Sequence, residues 1–243
     1  MEAFLNSSIL MAVRVLLKLK SVLIESRKHS FISFFLFLLL ISNVAFSQKK
    51  VTKTFQTALN KIEISTVGLD DLVIENTTSE FLEIYLYSEN PNKNHIIFEE
   101  EYGIVKLRFN IPSFESEDKI FRKYITKRLN RSSAIVKVPI NKNISVFGEK
   151  IGVSSKGYNG NLKIYIEEGT VKLDTIQHNL LLKLYVGNVF GNFKKANVNV
   201  LSRSGKIKID KKFYKKKYKK TVDSSAKKID ITTVKGNIFL TSQ

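Results

Sequence analysis

The densest group of chemically active side chains in this 243-residue sequence is a lysine-rich segment, KKFYKKKYKK, at residues 211–220. Ammonium groups attract phosphate, sulfate and carboxylate groups, and the interleaved aromatic rings can stack or pack against a ligand. The segment therefore predicts a site for an anionic polymer. The predicted binding residues are Lys211, Lys212, Lys215, Lys216, Lys217, Lys219, Lys220, Tyr214 and Tyr218. The alternative is a solvated loop whose charges keep a sheet edge from aggregating.

The remaining titratable residues do not form a pattern typical of catalysis or metal binding. His95 and His178 are too few for a histidine metal site. The run Glu99–Glu101 and the pair Asp70 and Asp71 lack the spacing of a calcium-binding loop. We therefore expect no metal and no cofactor, and we expect these side chains to lie in solvated turns.

A ladder of residues predicted to face outward, Lys172, Phe190, Lys208 and Phe239, could line a sugar groove. An enzyme also needs a positioned acid and base, and these positions lack paired carboxylates. The sequence therefore predicts a protein that is not an enzyme. A polysaccharide-active enzyme of the β-helix type is the minor alternative.

Four glycines set the period of the C-terminal region. Their spacings are 18, 18 and 31 residues, and the last spacing is 18 plus a 13-residue excess around the lysine-rich segment. Glycine suits a corner because it adopts positive φ without strain. The predicted repeat glycines are Gly169, Gly187, Gly205 and Gly236.

The positions around these glycines predict strand, corner, strand in each unit. Seventeen of the twenty sites at seven, five and three residues before each glycine, and at two and four after it, are apolar. The sites on each side of the glycine are two residues apart, which is the strand period. We predict an all-β fold, a β-helix-like β-solenoid of about 18-residue coils over residues 133–243. The alternative is a β-meander in which each glycine closes a hairpin.

Residues 1–47 carry the pattern of a secretory signal peptide. Basic residues precede the apolar run FISFFLFLLLI, and the small residues Ala45 and Ser47 precede Gln48. The N-terminal flank is long for a signal peptide, which indicates that the sequence begins at a start codon upstream of the true one. The run is also short for a membrane span, so an uncleaved anchor is the alternative. The chain has no cysteine and therefore no disulfide or thiol-linked lipid.

Charge is segregated along the chain. Residues 48–118 carry 7 basic and 13 acidic side chains, whereas residues 119–243 carry 28 and 7. Alternating segments such as FLEIYLYS predict an N-terminal β region over residues 48–115. The export signal argues against a cytoplasmic nucleic-acid protein despite the net charge of +18.

Residues 116–132 break the strand period. Ile120, Phe121, Tyr124, Ile125 and Leu129 fall on one face of a helix, and basic side chains fall on the other. Ser116 can cap the helix. We predict an inserted amphipathic helix that covers a β edge, with binding to an anionic membrane surface as the alternative.

The order of these features resembles a family of exported bacterial β-solenoid domains of unknown function that are candidate adhesins. The likeness covers roughly residues 55–243 and is carried by VKVPI and by the units LKIYIEEGTVKL, LLKLYVGNVFGNF, VNVLSRSGKIKI and KIDITTVKGNIFL. The resemblance implies a β-helix-like fold and a role at the cell envelope or surface. It supplies no catalytic residues.

Together these features predict an exported, adhesin-like scaffold or interaction protein, found in the periplasm, on the outer surface or secreted. The alternative is a binder of an anionic polymer such as lipopolysaccharide, sulfated glycan or DNA through the lysine-rich segment. The expected partner is accordingly an anionic polymer or another envelope protein. The sequence leaves the oligomeric state open.

Overall fold

Alternating apolar residues form β-strands along both described parts of the chain, residues 49–111 and 132–243. The structure is a computed structural model, and it confirms the predicted all-β fold. The predicted signal peptide, and all of the predicted helix except Ser132, lie outside the described residues. Within those residues the elements are β1 (Lys49–Gln56), β2 (Lys61–Ser65), β3 (Asp71–Thr77), β4 (Phe81–Ser88), a 3-10 turn (Lys93–His95), β5 (Ile96–Glu101), β6 (Ile104–Phe109), β7 (Ser133–Pro139), β8 (Asn143–Lys150), β9 (Gly152–Lys156), β10 (Asn161–Ile176), β11 (Leu180–Phe193), β12 (Asn197–Ser202), β13 (Ile207–Ile209), β14 (Lys212–Tyr214), β15 (Lys217–Lys220) and β16 (Lys228–Ser242).

All sixteen strands belong to one hydrogen-bonded sheet, which can be followed along two runs. The A run has the order β5-β6-β2-β8-β10-β11-β16-β12-β15, and the B run has the order β1-β4-β7-β3-β9-β10-β11-β16-β13-β14. The long strands β10, β11 and β16 take part in both runs. Each contributes its first half to the A run and its second half to the B run.

Strands β8, β10 and β11 pair in parallel at a constant offset. Leu162 lies opposite Leu180, and Gly169 lies opposite Gly187, so β10 and β11 are offset by 18 residues. Strands β8 and β10 have the same offset, with Ile144 opposite Leu162. This register places apolar residues opposite apolar residues, so they stay on one face from strand to strand. That face forms a single cluster of buried Ile, Leu and Val side chains.

The strands do not follow one another in chain order. Strand β16 lies between β11 on one side and β12 and β13 on the other, so Gly187 pairs with Gly236. The unit moved outward carries the exposed Arg203 and Ser204. This placement leaves the polar residues nearer the end of the sheet, where they remain hydrated.

The same arrangement occurs near the other end of the sheet. There β2 and β3 lie between the unit of β6 and β7 and the unit of β8 and β9. Beyond the parallel strands, each end finishes in antiparallel pairs: β5 on β6 and β4 on β7 at one end, and β15 on β12 and β14 on β13 at the other. Both edges of the parallel region are therefore covered.

The lysine-rich segment is not the solvated loop that its composition suggested. Residues 212–214 and 217–220 are the edge strands β14 and β15. Their backbones pair with β13 and β12, since an uncovered parallel edge would leave amide and carbonyl groups without partners. The excess residues that interrupt the glycine spacing thus form the end cover of the sheet.

Candidate anion-binding surface

The lysine-rich segment begins at a tight reversal of the chain. Asp210 has a φ of 55°, in the left-handed region that Asn and Asp tolerate better than most residues. Its carboxylate accepts hydrogen bonds from the backbone N–H of Ser242 (2.7 Å) and from the Ser242 hydroxyl (2.6 Å). These bonds, and then the charge of Lys220, lower the pKa of Asp210. The reversal is thereby tied to the end of β16.

All seven lysines of the segment are exposed. The ion pairs within residues 49–111 and 132–243 join other residues, and none of them involves a lysine of this segment. Their charges are therefore balanced by solvent ions, which a polyanion would release on binding. The structure thus brings the predicted cations together at one end of the sheet.

The three aromatic residues of the segment have different surroundings. Tyr214 and Tyr218 are half-buried, pack against the core cluster and meet edge to face with centroids 4.7 Å apart. Burial raises the pKa of Tyr218. Phe213, by contrast, is 67% exposed, and the ammonium group of Lys208 lies 5.5 Å from its ring centroid. The exposed aromatic of the segment is thus Phe213, which composition did not separate from the two tyrosines.

The predicted outward ladder exists, but in a different order. Cross-strand pairing gives the row Lys172, Phe190, Phe239, Lys208 and Phe213 on the B run. The insertion of β16 brings Phe190 and Phe239 side by side, with stacked rings 5.1 Å apart. Chain order alone would have placed Lys208 between them. The row ends at Phe213 and so joins the lysine-rich segment.

The A run carries an open groove of about 560 Å³ that sequence reasoning missed. Its lining includes Phe147 and Tyr165, whose rings stack with centroids 5.3 Å apart. The ammonium group of Lys183 lies 5.7 Å from the centroid of Tyr165. Residues 147, 165 and 183 are spaced by 18, so the glycine period contained the signal that could have found them. Glu149 and Glu167 also line the groove, which makes it unsuited to a polyanion.

The carboxylates and one of the histidines considered in the sequence have structural partners. The Asp70 carboxylate accepts a hydrogen bond from the backbone N–H of Ser132 (2.9 Å). Glu99 pairs with Arg108, and Glu101 pairs with Lys106, whose hydrogen bond lowers the pKa of Glu101.

His95 closes the 3-10 turn, where its Nδ1 accepts from the backbone N–H of Asn92 (3.3 Å). His178 is exposed and lies beside a small crevice between β9 and β11. No cluster of three or more metal-ligating side chains occurs in the described part of the chain. These residues therefore carry no argument for a metal site.

The predicted repeat glycines lie where neighbouring backbones come very close. A Cβ atom on Gly187 (φ 141°) would lie 1.8 Å from the carbonyl oxygen of Gly169, and a Cβ atom on Gly205 would lie 1.9 Å from the carbonyl oxygen of Gly236. The same carbonyl of Gly236 accepts hydrogen bonds from the buried hydroxyls of Ser202 (2.8 Å) and Thr233 (3.0 Å). These two polar residues interrupt the apolar pattern of the sequence, and their bond to the corner explains why they are tolerated inside.

Comparison with known proteins places the chain by its fold. No known protein-family profile matches it, and no curated protein matches it. The solved structure of a candidate cell-adhesion protein from Clostridium sporogenes is similar, with a TM-score of 0.57 and 13% identity, covering 81% of this chain and 100% of that one. Candidate adhesins from Bacteroides fragilis (TM-score 0.31, 12% identity, 81% and 98% covered) and Parabacteroides merdae (0.32, 12%, 79% and 81%) also match. The first likeness shows a shared fold.

Within residues 49–111 and 132–243, no helix has the length and hydrophobicity of a membrane span.

Proposed function

We propose that this chain is an exported β-solenoid without enzymatic activity, which acts as an adhesin-like interaction protein of the cell envelope or surface. On this proposal, its lysine-rich end, residues 211–220, binds an anionic polymer of the envelope or the extracellular space. The parallel pairing of β8, β10 and β11 at an offset of 18 residues supports the proposal of a solenoid. The signal-peptide pattern of residues 1–47 supports export.

The observation that carries the binding function is the group of seven exposed lysines without ion-pair partners among the described residues. An edge strand needs only a few charges to discourage aggregation. Seven like charges close together repel one another, and an anionic ligand would relieve that repulsion. Since the backbone of the segment is held by β12 and β13, the lysines are presented on an ordered support.

The test compares two variants that lose the same amount of charge. The cap variant replaces Lys215, Lys216, Lys217, Lys219 and Lys220 with Gln. The control variant replaces Lys49, Lys61, Lys93, Lys163 and Lys235 with Gln. These five lysines are exposed outside the lysine-rich segment. Both should melt within a few degrees of the parent, because exposed charges contribute little to stability.

Binding to immobilised heparin is then measured at several salt concentrations. For the cap variant, the slope of log affinity against log salt should fall by about 4, the value expected if each lysine neutralises one anionic group. The control variant should keep most of the parental slope. If both variants change equally, the attraction belongs to the diffuse charge of the whole chain, and the lysine-rich end is not the site.

Export is tested separately by mass spectrometry of the natively produced protein. We expect a mature chain that begins at Gln48. A product that retains the apolar run before Ala45 would show a membrane-anchored protein instead.

A further inference from the structure

The B run carries an outward-facing row that leads into the lysine-rich end, in which Phe239 and Lys208 are half-buried and the other members are exposed. Its members in spatial order are Lys172, Phe190, Phe239, Lys208 and Phe213. Phe190 is 41% exposed and Phe213 is 67% exposed. At roughly 4.8 Å between neighbouring strands, the five side chains span about 19 Å. We propose that this row is a binding track for a linear acidic polysaccharide, which continues from Phe213 onto the lysines of residues 211–220.

The charge of the row is complementary to such a ligand. Lys172 and Lys208 lie on either side of the two stacked phenylalanine rings. None of the five positions of the row carries a carboxylate. Along the strands the nearest carboxylates are Asp174 and Asp210, each two residues from a lysine of the row, and Asp210 is already hydrogen-bonded to Ser242. The row therefore presents two cations three strand spacings apart, to which acidic groups on one extended sugar chain can bind.

The rings contribute to anion binding through their edges. Phe190 and Phe239 have planes only 12° apart and centroids 5.1 Å apart, so each turns one face toward the other. Phe213 has the ammonium group of Lys208 over its ring. The C–H edges of an aromatic ring carry partial positive charge. Rings that are stacked in this way supply an apolar floor with positive edges between the two lysines.

This geometry favours an acidic glycan over a single-stranded nucleic acid. Proteins that hold single strands offer open aromatic faces on which successive bases stack. Here one face of Phe190 and one face of Phe239 are covered by the other ring, and the ammonium group of Lys208 lies over the ring of Phe213. Sulfate and carboxylate groups on a sugar chain need only the lysines and ring edges, which the row provides.

The inference rests on the proposed anion-binding function but extends it to a second surface, which adjoins the lysine-rich end at Phe213. Two variants separate the contributions within the row. The track-charge variant, Lys172→Gln with Lys208→Gln, removes both cations. The track-ring variant, Phe190→Leu with Phe239→Leu, keeps apolar volume and removes the ring edges. Lys61→Gln with Lys163→Gln is the matched control, since both lysines are exposed on the A run.

Each variant is assayed with heparin and with single-stranded DNA of similar length, after circular dichroism and a melting curve establish that it is folded. With heparin, the track-charge variant should lose about tenfold in affinity, and its salt slope should fall by about 1 to 2. The track-ring variant should lose about three- to tenfold in affinity without a change in slope. The control should stay within twofold of the parent.

The outcomes separate the track from the lysine-rich end. If the cap variant loses heparin binding while the track-charge variant matches its control, the lysine-rich end binds and the track is overturned. If the parent does not bind heparin at near-physiological salt, both proposals fail. If single-stranded DNA binds more tightly than heparin and the track-ring variant abolishes that binding, the track is a base-stacking surface and the assignment to an acidic glycan is overturned.

Discussion

At the N-terminal end of the sheet, β2 and β3 lie between the units of β6–β7 and β8–β9, and antiparallel strands cover the last edge. At the C-terminal end, β16 lies between β11 and the unit of β12–β13, and again antiparallel strands cover the edge. The backbone arrangement is therefore similar at the two ends. The charges on the covering strands are different.

At the N-terminal end, the covering strand β5 pairs two of its glutamates with basic residues of the neighbouring strand. Glu99 and Glu101 on β5 pair with Arg108 and Lys106 on β6. The lysines on β14 and β15 have no such partners among the described residues. Both covers meet the same structural need, so the excess charge of the C-terminal cover is the feature on which the proposed anion binding depends.

The largest effect should come from placing a charge in either inserted unit. Ile64 in β2 and Ile231 in β16 are fully buried. Ile64→Asp and Ile231→Asp should each lower the free energy of unfolding by about 4 kcal/mol or more, because a buried carboxylate without a partner is very costly. Denaturant titration measures this loss, with Glu63→Gln and Thr232→Asn as outward-facing controls. A mild effect at Ile64 beside a severe one at Ile231 would show that the two ends do not share one core.

A corner glycine should cost more to replace than a hairpin glycine. Gly187→Val forces a Cβ atom to within 1.8 Å of the carbonyl of Gly169, and we expect a loss of about 3 kcal/mol or more. Gly103, in the N-terminal cover, has a φ of 73°, but a Cβ atom added there would meet no other atom within 4 Å. Gly103→Ala should therefore cost only about 1 kcal/mol, from backbone strain alone. Equal losses in thermal melting would contradict the close approach at the corner.

The hydroxyls at the C-terminal corner should have a moderate effect. Ser202→Ala and Thr233→Val each remove one hydrogen bond to the carbonyl of Gly236 while nearly keeping side-chain volume, and Ser202→Ala also removes the bond that its hydroxyl accepts from the Gly205 backbone N–H. We expect a loss of about 1 kcal/mol in each, measured by chemical denaturation. The N-terminal end is the internal reference, since Thr77→Val tests a partly buried threonine whose hydroxyl bonds to Glu83 and to the backbone N–H of Ser79 and not to a corner carbonyl. A loss at Thr77 as large as at Thr233 would remove the special role of the corner bonds.

The surface charges of the N-terminal cover should contribute little to stability and nothing to heparin binding. Replacing Lys106 and Arg108 with Gln breaks the ion pairs of the N-terminal cover, and we expect less than about 0.5 kcal/mol because exposed ion pairs contribute little. This variant should retain the parental affinity for heparin, in contrast with the cap variant. Loss of heparin binding in the N-terminal variant would end the functional distinction between the two covers.

The smallest expected effect is the pH dependence of the stability that the Asp210 carboxylate contributes. Hydrogen bonds from Ser242 lower the pKa of Asp210. The ionised carboxylate therefore stabilises the fold above its unfolded pKa, about 3.9, and this contribution disappears as the pH falls through the lower folded pKa. The melting temperatures of the parent and of Asp210→Asn should differ at pH 7 and converge near pH 2. A difference that is constant with pH would exclude the ionised carboxylate as its cause.

The sequence by itself determined the strands, the inward and outward faces and the concentration of lysines. These follow from local rules: the period of two separates the faces, glycine occurs where Cβ does not fit, and charge clusters remain exposed. The same rules located Lys172, Phe190, Lys208 and Phe239 on an outer face. They also identified residues 211–220 as the most basic segment, although not as two strands.

Only the tertiary structure decided which strands are neighbours. Alternation fixes the face on which a side chain lies but not the strand beside it, so nothing local predicts that β16 inserts between β11 and β12. That insertion places Phe190 against Phe239 and brings the row to Phe213. Likewise, Tyr214 and Tyr218 pack against the core because β13 and β12 need a cover on their free edges. Pairing between residues far apart in the chain depends on the packing of the whole sheet, and that information is not contained in any single segment.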